Sequence, residues 1–314
     1  MAKAIAFVFP GQGSQSIGML AALGAAAPVV RAAFDEASQA LGEDLWQLAQ
    51  QGPEEKLNDT RYTQPVLLVA AVATWRAWLA AGGARPTMMA GHSLGEYSAL
   101  VCAGALTLAE GVKLVAERGS LMQAAVPAGT GGMAAILGLD DDAVRTACAQ
   151  VAQGEVVAAV NLNAPGQVVI AGGKAAVERA IEACRAAGAK RAIALPVSVP
   201  SHCELMRPAA GQLAVRLQSL ALKVPTIAVI NNVDVAVAAS ADAVRDALVR
   251  QLYSPVRWVE TVTKLTADGA NIIIECGPGK VLTGLNKRIA KDAECLCIQD
   301  PESLAAALTA AHGG

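Results

Sequence analysis

Ser93 sits in the run Gly91-His92-Ser93-Leu94-Gly95, with a glycine two residues to either side. An apolar stretch, residues 87–92, leads into it, and a helix-like pattern starts at Leu94. This spacing suits nucleophilic catalysis. A strand that turns sharply into a helix pushes the serine hydroxyl out above the sheet edge, provided its neighbours are small enough for a tight fold. The helix from Leu94 offers an amide N–H and a positive dipole end to an oxyanion. The alternative is a strand–helix turn in which Ser93 is only an N-cap.

A serine nucleophile needs a base, and the chain has three histidines. His312 lies in a C-terminal "HGG" expected to fray. His92 adjoins the serine, and side chains of neighbours on a tight turn diverge, so it reads as a packing residue at the strand end. His202, in "PVSVPSHCELM", is left as the base. The acid of a hydrolase triad is missing from its expected place between Ser93 and His202. Glu96, Glu110, Glu117, Asp140–Asp142, Glu178 and Glu182 fall on predicted helices and Glu155 at a strand edge. Either a neutral group orients the histidine, or the protein is not a standard hydrolase.

Arg118 narrows the choice. On the helix predicted over 107–125, Glu110, Lys113 and Glu117 share one face, while Leu114, Arg118, Leu121 and Ala125 share another. A guanidinium on an apolar stripe must find a partner, because an unpaired buried charge is very costly. The partner is either a structural carboxylate or the carboxylate of a substrate. In the second case a serine that accepts acyl groups, next to a carboxylate-binding arginine, suggests transfer of a carboxylated acyl group.

The elements that hold these residues alternate between strand and helix. Buried strands are predicted at 4–9, 87–92, 226–233 and 271–279, and helices through residue 50, over 64–83 and from Leu94 to about Val126. That order argues for a parallel sheet covered on both faces. Residues 128–197 follow another rhythm, with strands at 133–139, in "EVVAAVNLN", in "QVVIAGG" and at 190–198, and helices at 140–152 and 174–189. The order βαββαβ is ferredoxin-like. The expected fold is therefore an α/β large subdomain (1–127 and 198–314) with a ferredoxin-like small subdomain (128–197) inserted.

Composition limits the partners. Lys plus Arg total 25 against 27 Asp plus Glu, for a net charge of −2, which leaves no footprint for nucleic acid or an anionic membrane. Seven scattered cysteines read as reduced thiols in a cytoplasmic protein, with no metal set. The start, "MAKAIAFVFPGQG", lacks the apolar length of a signal peptide, and uncharged runs are broken by Pro and Asn. Two glycine motifs fail as nucleotide sites. "GQGSQS" has Ser16 where the dinucleotide fingerprint needs glycine, and in "GPGKVL" Val281 follows Lys280 where Ser or Thr should hold magnesium. Both read as tight turns.

Taken in order, "FVFPGQGSQ", "TQPVLL", "AGHSLGEYSALVCAG", "ERGSLMQ", "NLNAPGQVVIAG", "PVSVPSH", "VINNVD", "RQLYSPVRW" and "CGPGKVLTGL" span nearly the whole chain. In these stretches it resembles the malonyl-CoA:acyl carrier protein transacylases of the free-standing bacterial, fatty-acid-synthesis type. The resemblance implies a hydrolase-like α/β subdomain with a ferredoxin-like insertion, Ser93 as nucleophile and His202 as general base. It implies that Arg118 binds the malonyl carboxylate and that the amides of Gln12 and Leu94 form the oxyanion hole. Gln251 would orient the histidine through a carbonyl group, in place of the absent acid. Gln64 and Asn163 match pocket positions of the family. Ser201 precedes the base, as in the free-standing enzymes, where related polyketide-synthase domains often carry an aromatic residue.

The implied substrates are malonyl-CoA, a coenzyme A thioester, and the phosphopantetheine arm of acyl carrier protein, with no metal or redox cofactor and a monomeric enzyme. Such carrier proteins are acidic, so Lys190, Arg191, Lys287 and Arg288 are candidates for a docking patch. The rival expectations are a serine thioesterase or esterase, and a non-catalytic subunit that binds carrier protein.

Overall fold

The computed structural model describes residues 4–197 and 199–312. The strands are β1 (Ile5–Phe9), β2 (Met88–Gly91), β3 (Gly131–Leu137), β4 (Val157–Ala164), β5 (Gln167–Gly173), β6 (Arg191–Ala194), β7 (Ala228–Ile230), β8 (Ile272–Cys276) and β9 (Glu294–Ile298). Helices α1 (Ala21–Ala26), α2 (Pro28–Leu41), α3 (Leu45–Gln51), α4 (Glu54–Asn58) and α5 (Thr60–Ala80) separate β1 from β2. Then come α6 (Leu94–Cys102), α7 (Leu108–Ala124), α8 (Asp141–Val151), α9 (Lys174–Ala186) and α10 (Arg207–Gln218). The chain finishes with α11 (Ala241–Gln251), α12 (Trp258–Ala267), α13 (Val281–Ile289) and α14 (Pro301–His312).

Five strands pair in parallel in the order β7-β2-β1-β8-β9. Strands β1, β2 and β8 are buried along their whole length, as parallel strands covered on both faces must be. The period of two divides β1 between two cores: Ile5, Phe7 and Phe9 enter one, Ala6 and Val8 the other. Phe7 meets Trp75 and Trp78 of α5 edge-on, with ring centroids 5.4 and 5.2 Å away.

The second sheet is antiparallel, in the order β4-β5-β3-β6, and its chain order β3-α8-β4-β5-α9-β6 is βαββαβ. Its own core lies under α8 and α9. The mixed α/β class, with one parallel and one small antiparallel sheet, is the expected one. Strand β4 is tied to the rest of the chain at Val256, which accepts from Leu162 N–H at 3.0 Å and donates to Val160 O at 2.8 Å. That tie hangs the small sheet over the edge of the large one where β2 ends.

Several boundaries differ from the sequence reading. The single helix expected from Leu94 to about Val126 is two, α6 and α7. The chain turns at Gly104 (φ 78°), and Thr107 with Glu110 forms a capping box that restarts the helix. The strand expected over 226–233 stops at Ile230, because Asn231 turns the chain by accepting the N–H groups of Val233 and Asp234. The strand expected over 190–198 ends at Ala194, and Ser198 is outside the described residues. His312 closes α14 where fraying was expected; Gly313 and Gly314 lie outside the described residues. Among the described residues no helix is long and apolar enough to cross a membrane, and no cluster of three His, Cys, Asp or Glu could hold a metal.

Candidate active site

Strand β2 ends at Gly91 and α6 begins at Leu94, so His92 and Ser93 make the whole turn. Ser93 holds φ 52° and ψ −110°, a backbone that a residue with a side chain rarely adopts, at a cost of about 1–3 kcal/mol. The flanking glycines make the turn possible. A Cβ on Gly91 would lie 1.9 Å from the carbonyl carbon of Gly95, and one on Gly95 would lie 2.0 Å from Phe9 O. Asn232 locks the corner: its Oδ1 accepts Ser93 N–H at 2.8 Å, and its Nδ2 donates to Gly91 O at 2.6 Å.

His202 also sits at positive φ, 65°, and its amide donates to Leu252 O at 3.0 Å. Its Nε2 is 2.7 Å from Ser93 Oγ, and its Nδ1 is 2.8 Å from the backbone oxygen of Gln251. A carbonyl oxygen can only accept, so Nδ1 carries the proton and Nε2 turns its lone pair toward the serine hydroxyl. Burial, and then the charge of Arg118, hold the imidazole pKa down to about 3. The ring is therefore neutral at pH 7, the state a general base requires.

Arg118 is 1% exposed. It donates from Nη1 to Gln64 Oε1 at 2.8 Å and from Nη2 to Gln251 Oε1 at 3.0 Å, and Nη2 also reaches to 3.4 Å from Ser93 Oγ. Its guanidinium lies over the Tyr97 ring, 5.2 Å from the centroid. No carboxylate among the described residues forms a salt bridge with it at contact distance, although Glu96 acts on it electrostatically. The structural-carboxylate reading of Arg118 therefore finds no direct partner, and a charge-assisted site for an anion stands beside the serine.

These groups line a cavity of about 360 Å³ that also includes Gln12, Thr60, Leu94 and Met122 from the large part, with Met133, Asn161, Val169 and Leu195 from the small sheet. Gln12 follows β1 and bonds Thr60 Oγ1 from Nε2 at 3.3 Å. Leu94 is the first residue of α6, so its N–H has no intrahelical acceptor, and the residue lines the cavity. Asn163 does not line the cavity. Its Oδ1 lies 2.8 Å from Nε2 of His92, whose ring packs 5.5 Å from Trp258, so the two brace the turn, and His92 itself lines the cavity. Asn161, two residues earlier on β4, reaches the cavity, and its Oδ1 is buried without a protein donor among the described residues.

A family model described as an acyl transferase domain matches residues 6–302. The malonyl CoA-acyl carrier protein transacylase of Salmonella typhimurium is 60% identical over 304 residues, covering 97% of this chain and 98% of the relative. The chain belongs to the malonyl CoA-acyl carrier protein transacylase family. The Bacillus subtilis transacylase is 45% identical over 305 residues, 97% of this chain and 96% of its own length. A solved malonyl-transacylase in complex with its type II PKS acyl-carrier protein matches with TM-score 0.97 and 58% identity, over 98% of this chain and 100% of that one. The transacylase structure from Coxiella burnetii matches with TM-score 0.97 and 50% identity, over 98% of both chains.

Within this transacylase scaffold the four basic residues singled out for docking are all exposed. Lys190 packs over Gly138, whose N–H donates to Gly166 O at 2.8 Å, and Arg288 donates to Pro165 O at 2.6 Å and to Gln167 Oε1. Both basic pairs thus border the β4–β5 turn. Arg288 is already committed to holding α13 against that turn. The failure of "GPGKVL" as a phosphate loop has a structural counterpart. The buried Glu275 carboxylate accepts the N–H groups of Leu282 and Thr283 at 3.1 and 2.7 Å, so the α13 N-terminus is already capped by an acid. The sequence reading gives Asn232, inside "VINNVD", no role and sets Glu96 aside as a helix acid. Asn232 stands just past β7, beside β2 at the same end of the sheet, a neighbourhood that only the strand order creates.

Proposed function

We propose that this chain moves a malonyl group from malonyl-CoA to the phosphopantetheine thiol of acyl carrier protein, through a malonyl ester on Ser93, as a supplier of extender units for fatty acid synthesis. The observation that carries the proposal is the neutral His202 Nε2 at 2.7 Å from Ser93 Oγ, with Arg118 at 3.4 Å from the same oxygen. Ser93 Oγ attacks the thioester carbonyl while His202 Nε2 takes its proton. The tetrahedral oxyanion rests on the N–H groups of Gln12 and Leu94. Collapse breaks the carbon–sulfur bond, and coenzyme A leaves as its sulfur takes the proton back from His202. The carrier-protein thiol then gives its proton to His202, attacks the ester and frees Ser93, whose oxygen recovers that proton.

Arg118 holds the malonyl carboxylate throughout, with Gln64 steadying its Nη1. Both half-reactions are redox-neutral acyl exchanges, so the reaction as proposed asks for no metal or redox cofactor. Every group named comes from one chain, which supports a monomer as the working unit, and the free cysteines suit the cytoplasm. Lys190, Arg191, Lys287 and Arg288 would receive the acidic carrier protein beside the β4–β5 turn. Simple hydrolysis is the less favoured chemistry, because the group behind His202 is a carbonyl where elbow hydrolases place a carboxylate. The direct test is the mass of holo-acyl carrier protein after incubation with this chain and malonyl-CoA. A gain of one malonyl group, absent with the apo carrier, supports the transferase; free malonate with no modified carrier contradicts it.

A further inference from the structure

The side chain of Gln251 stands between two buried ionisable groups, Arg118 and Glu96. Its Oε1 accepts from Arg118 Nη2 at 3.0 Å, and its Nε2 donates to Glu96 Oε2 at 2.8 Å and to Ser93 O at 3.1 Å. A carboxamide can be turned end for end, and here the neighbours decide which way it faces. Guanidinium hydrogens can only donate, whereas the Ser93 carbonyl and the Glu96 carboxylate oxygen only accept. In the reversed orientation Nε2 would meet the Arg118 N–H groups, and Oε1 would meet two oxygens. Glu96 is the closer of the two acceptors, at 2.8 Å against 3.1 Å for the Ser93 carbonyl.

Glu96 is itself fixed. It is 2% exposed on the first turn of α6, and the same Oε2 also accepts the Asn232 N–H at 2.9 Å. No Lys or Arg among the described residues forms an ion pair with it, so its nearest counter-charge is Arg118, one amide away. The chain Glu96–Gln251–Arg118 thus ends on the guanidinium face beside the serine oxygen. The proposed mechanism uses only the backbone carbonyl of Gln251 and does not use Glu96.

We infer that Glu96 is a positioning residue for acyl-group selectivity: through Gln251 it aims the Arg118 guanidinium at the carboxylate of a malonyl group held on Ser93. This rests on the reading of Arg118 as the carboxylate-binding group. A resting Arg118 is balanced by Glu96 through the amide at a distance, which leaves the Nη2 reach toward Ser93 Oγ open to an incoming carboxylate. A contact ion pair would compete with the substrate. Selectivity between malonyl and acetyl groups is then set partly by a side chain that touches neither.

The experiment compares the rates of Ser93 acylation by malonyl-CoA and acetyl-CoA in wild type, Glu96→Gln, Gln251→Met and Arg118→Ala. Gln251→Met keeps the backbone carbonyl that holds His202 and removes the amide with its bonds to Arg118, Glu96 and Ser93 O; Glu96→Gln, which leaves the Ser93 O bond in place, isolates the Glu96 contribution. The inference expects the malonyl-to-acetyl ratio to fall at least tenfold in Glu96→Gln and in Gln251→Met, chiefly through a raised KM for malonyl-CoA. A purely structural role would lower both rates together and leave the ratio within twofold, and that result overturns the inference. A ratio that falls in Arg118→Ala and Gln251→Met but stays in Glu96→Gln also overturns it. Should Glu96→Gln yield no folded protein, Glu96→Asp, which draws the carboxylate back by one methylene, is judged by the same ratio. Failure of the underlying reading is distinguishable, because wild type would then show no preference for malonyl over acetyl.

Discussion

His202 Nε2 and Ser93 Oγ lie 2.7 Å apart although 109 residues separate them, and both residues hold positive φ, 65° and 52°. Each strained backbone is held by a hydrogen bond from its own amide, Ser93 to Asn232 and His202 to Leu252. Strain of this kind persists only where the surroundings over-determine it. The surroundings here are glycine contacts and buried amides, and they can be tested one at a time.

Gly95→Ala should break the elbow without touching a reacting group. Its Cβ would sit 2.0 Å from Phe9 O, and backbone cannot move aside as a side chain can. We expect a loss of about 3 kcal/mol or more, the upper range for overpacking, with loss of fluorophosphonate labelling at Ser93. Urea unfolding and labelling of the same sample check both. Unchanged stability would mean that α6 does not pack against β1 as described.

Burial gives His202 and Glu96 opposite pH signatures. The His202 pKa falls to about 3 on folding, so unfolded chains take up a proton first as the pH drops from about 6.5, and stability is lost progressively below that point. The Glu96 pKa rises to about 7, so folding favours its proton, and stability is lost as the pH rises from about 4.5 through 7. Relative to wild type, the Tm of His202→Ala should therefore improve as the pH is lowered from 6.5 to 4. That of Glu96→Gln should improve as the pH is raised from 5 to 8. Differences independent of pH would show that burial does not displace these two groups from their ordinary pKa values.

Arg118→Ala should penalise malonyl transfer more than acetyl transfer. A hydrogen bond to a charged group is worth about 1.5–3 kcal/mol, so the malonyl-to-acetyl ratio of kcat/KM should drop by roughly ten- to a hundredfold. Stopped-flow release of coenzyme A from each thioester measures it. Equal losses would make Arg118 structural.

Charge reversal separates docking from packing on the basic surface. Lys190→Glu and Lys287→Glu should weaken the carrier-protein half-reaction more than the acylation half-reaction, by about fivefold each if a rim charge is worth about 1 kcal/mol. Arg288→Glu should do the same and also lower Tm, because it breaks the bonds to Pro165 and Gln167. Equal losses in both half-reactions would argue against docking.

The parts of this site that could be read from the chain are those whose reason is local. The elbow shows itself in two glycines and a hydroxyl, His202 stands out because histidine is scarce, and Arg118 because it interrupts an apolar stripe. The break between α6 and α7 was also legible, in Gly104 and the Thr107–Glu110 box, but the continuous apolar pattern masked it. Strands β7 and β9, three and five residues long, carry too little periodicity to be bounded. Asn232 and Glu96 stayed hidden for a different reason. Their partners arrive from α11, β2 and the loop after β7, and only the sheet order brings those segments to one edge. Asn161 and Asn163 share a face of β4, and no pattern tells which reaches the cavity and which reaches His92.

The central claim is a malonyl ester on Ser93, and the intact mass of the protein within seconds of mixing with malonyl-CoA, without acceptor, tests it most directly. The account predicts a lasting gain of one malonyl group, absent in Ser93→Ala and discharged when holo-acyl carrier protein is added. Release of coenzyme A with no lasting adduct would contradict it and make the protein a hydrolase.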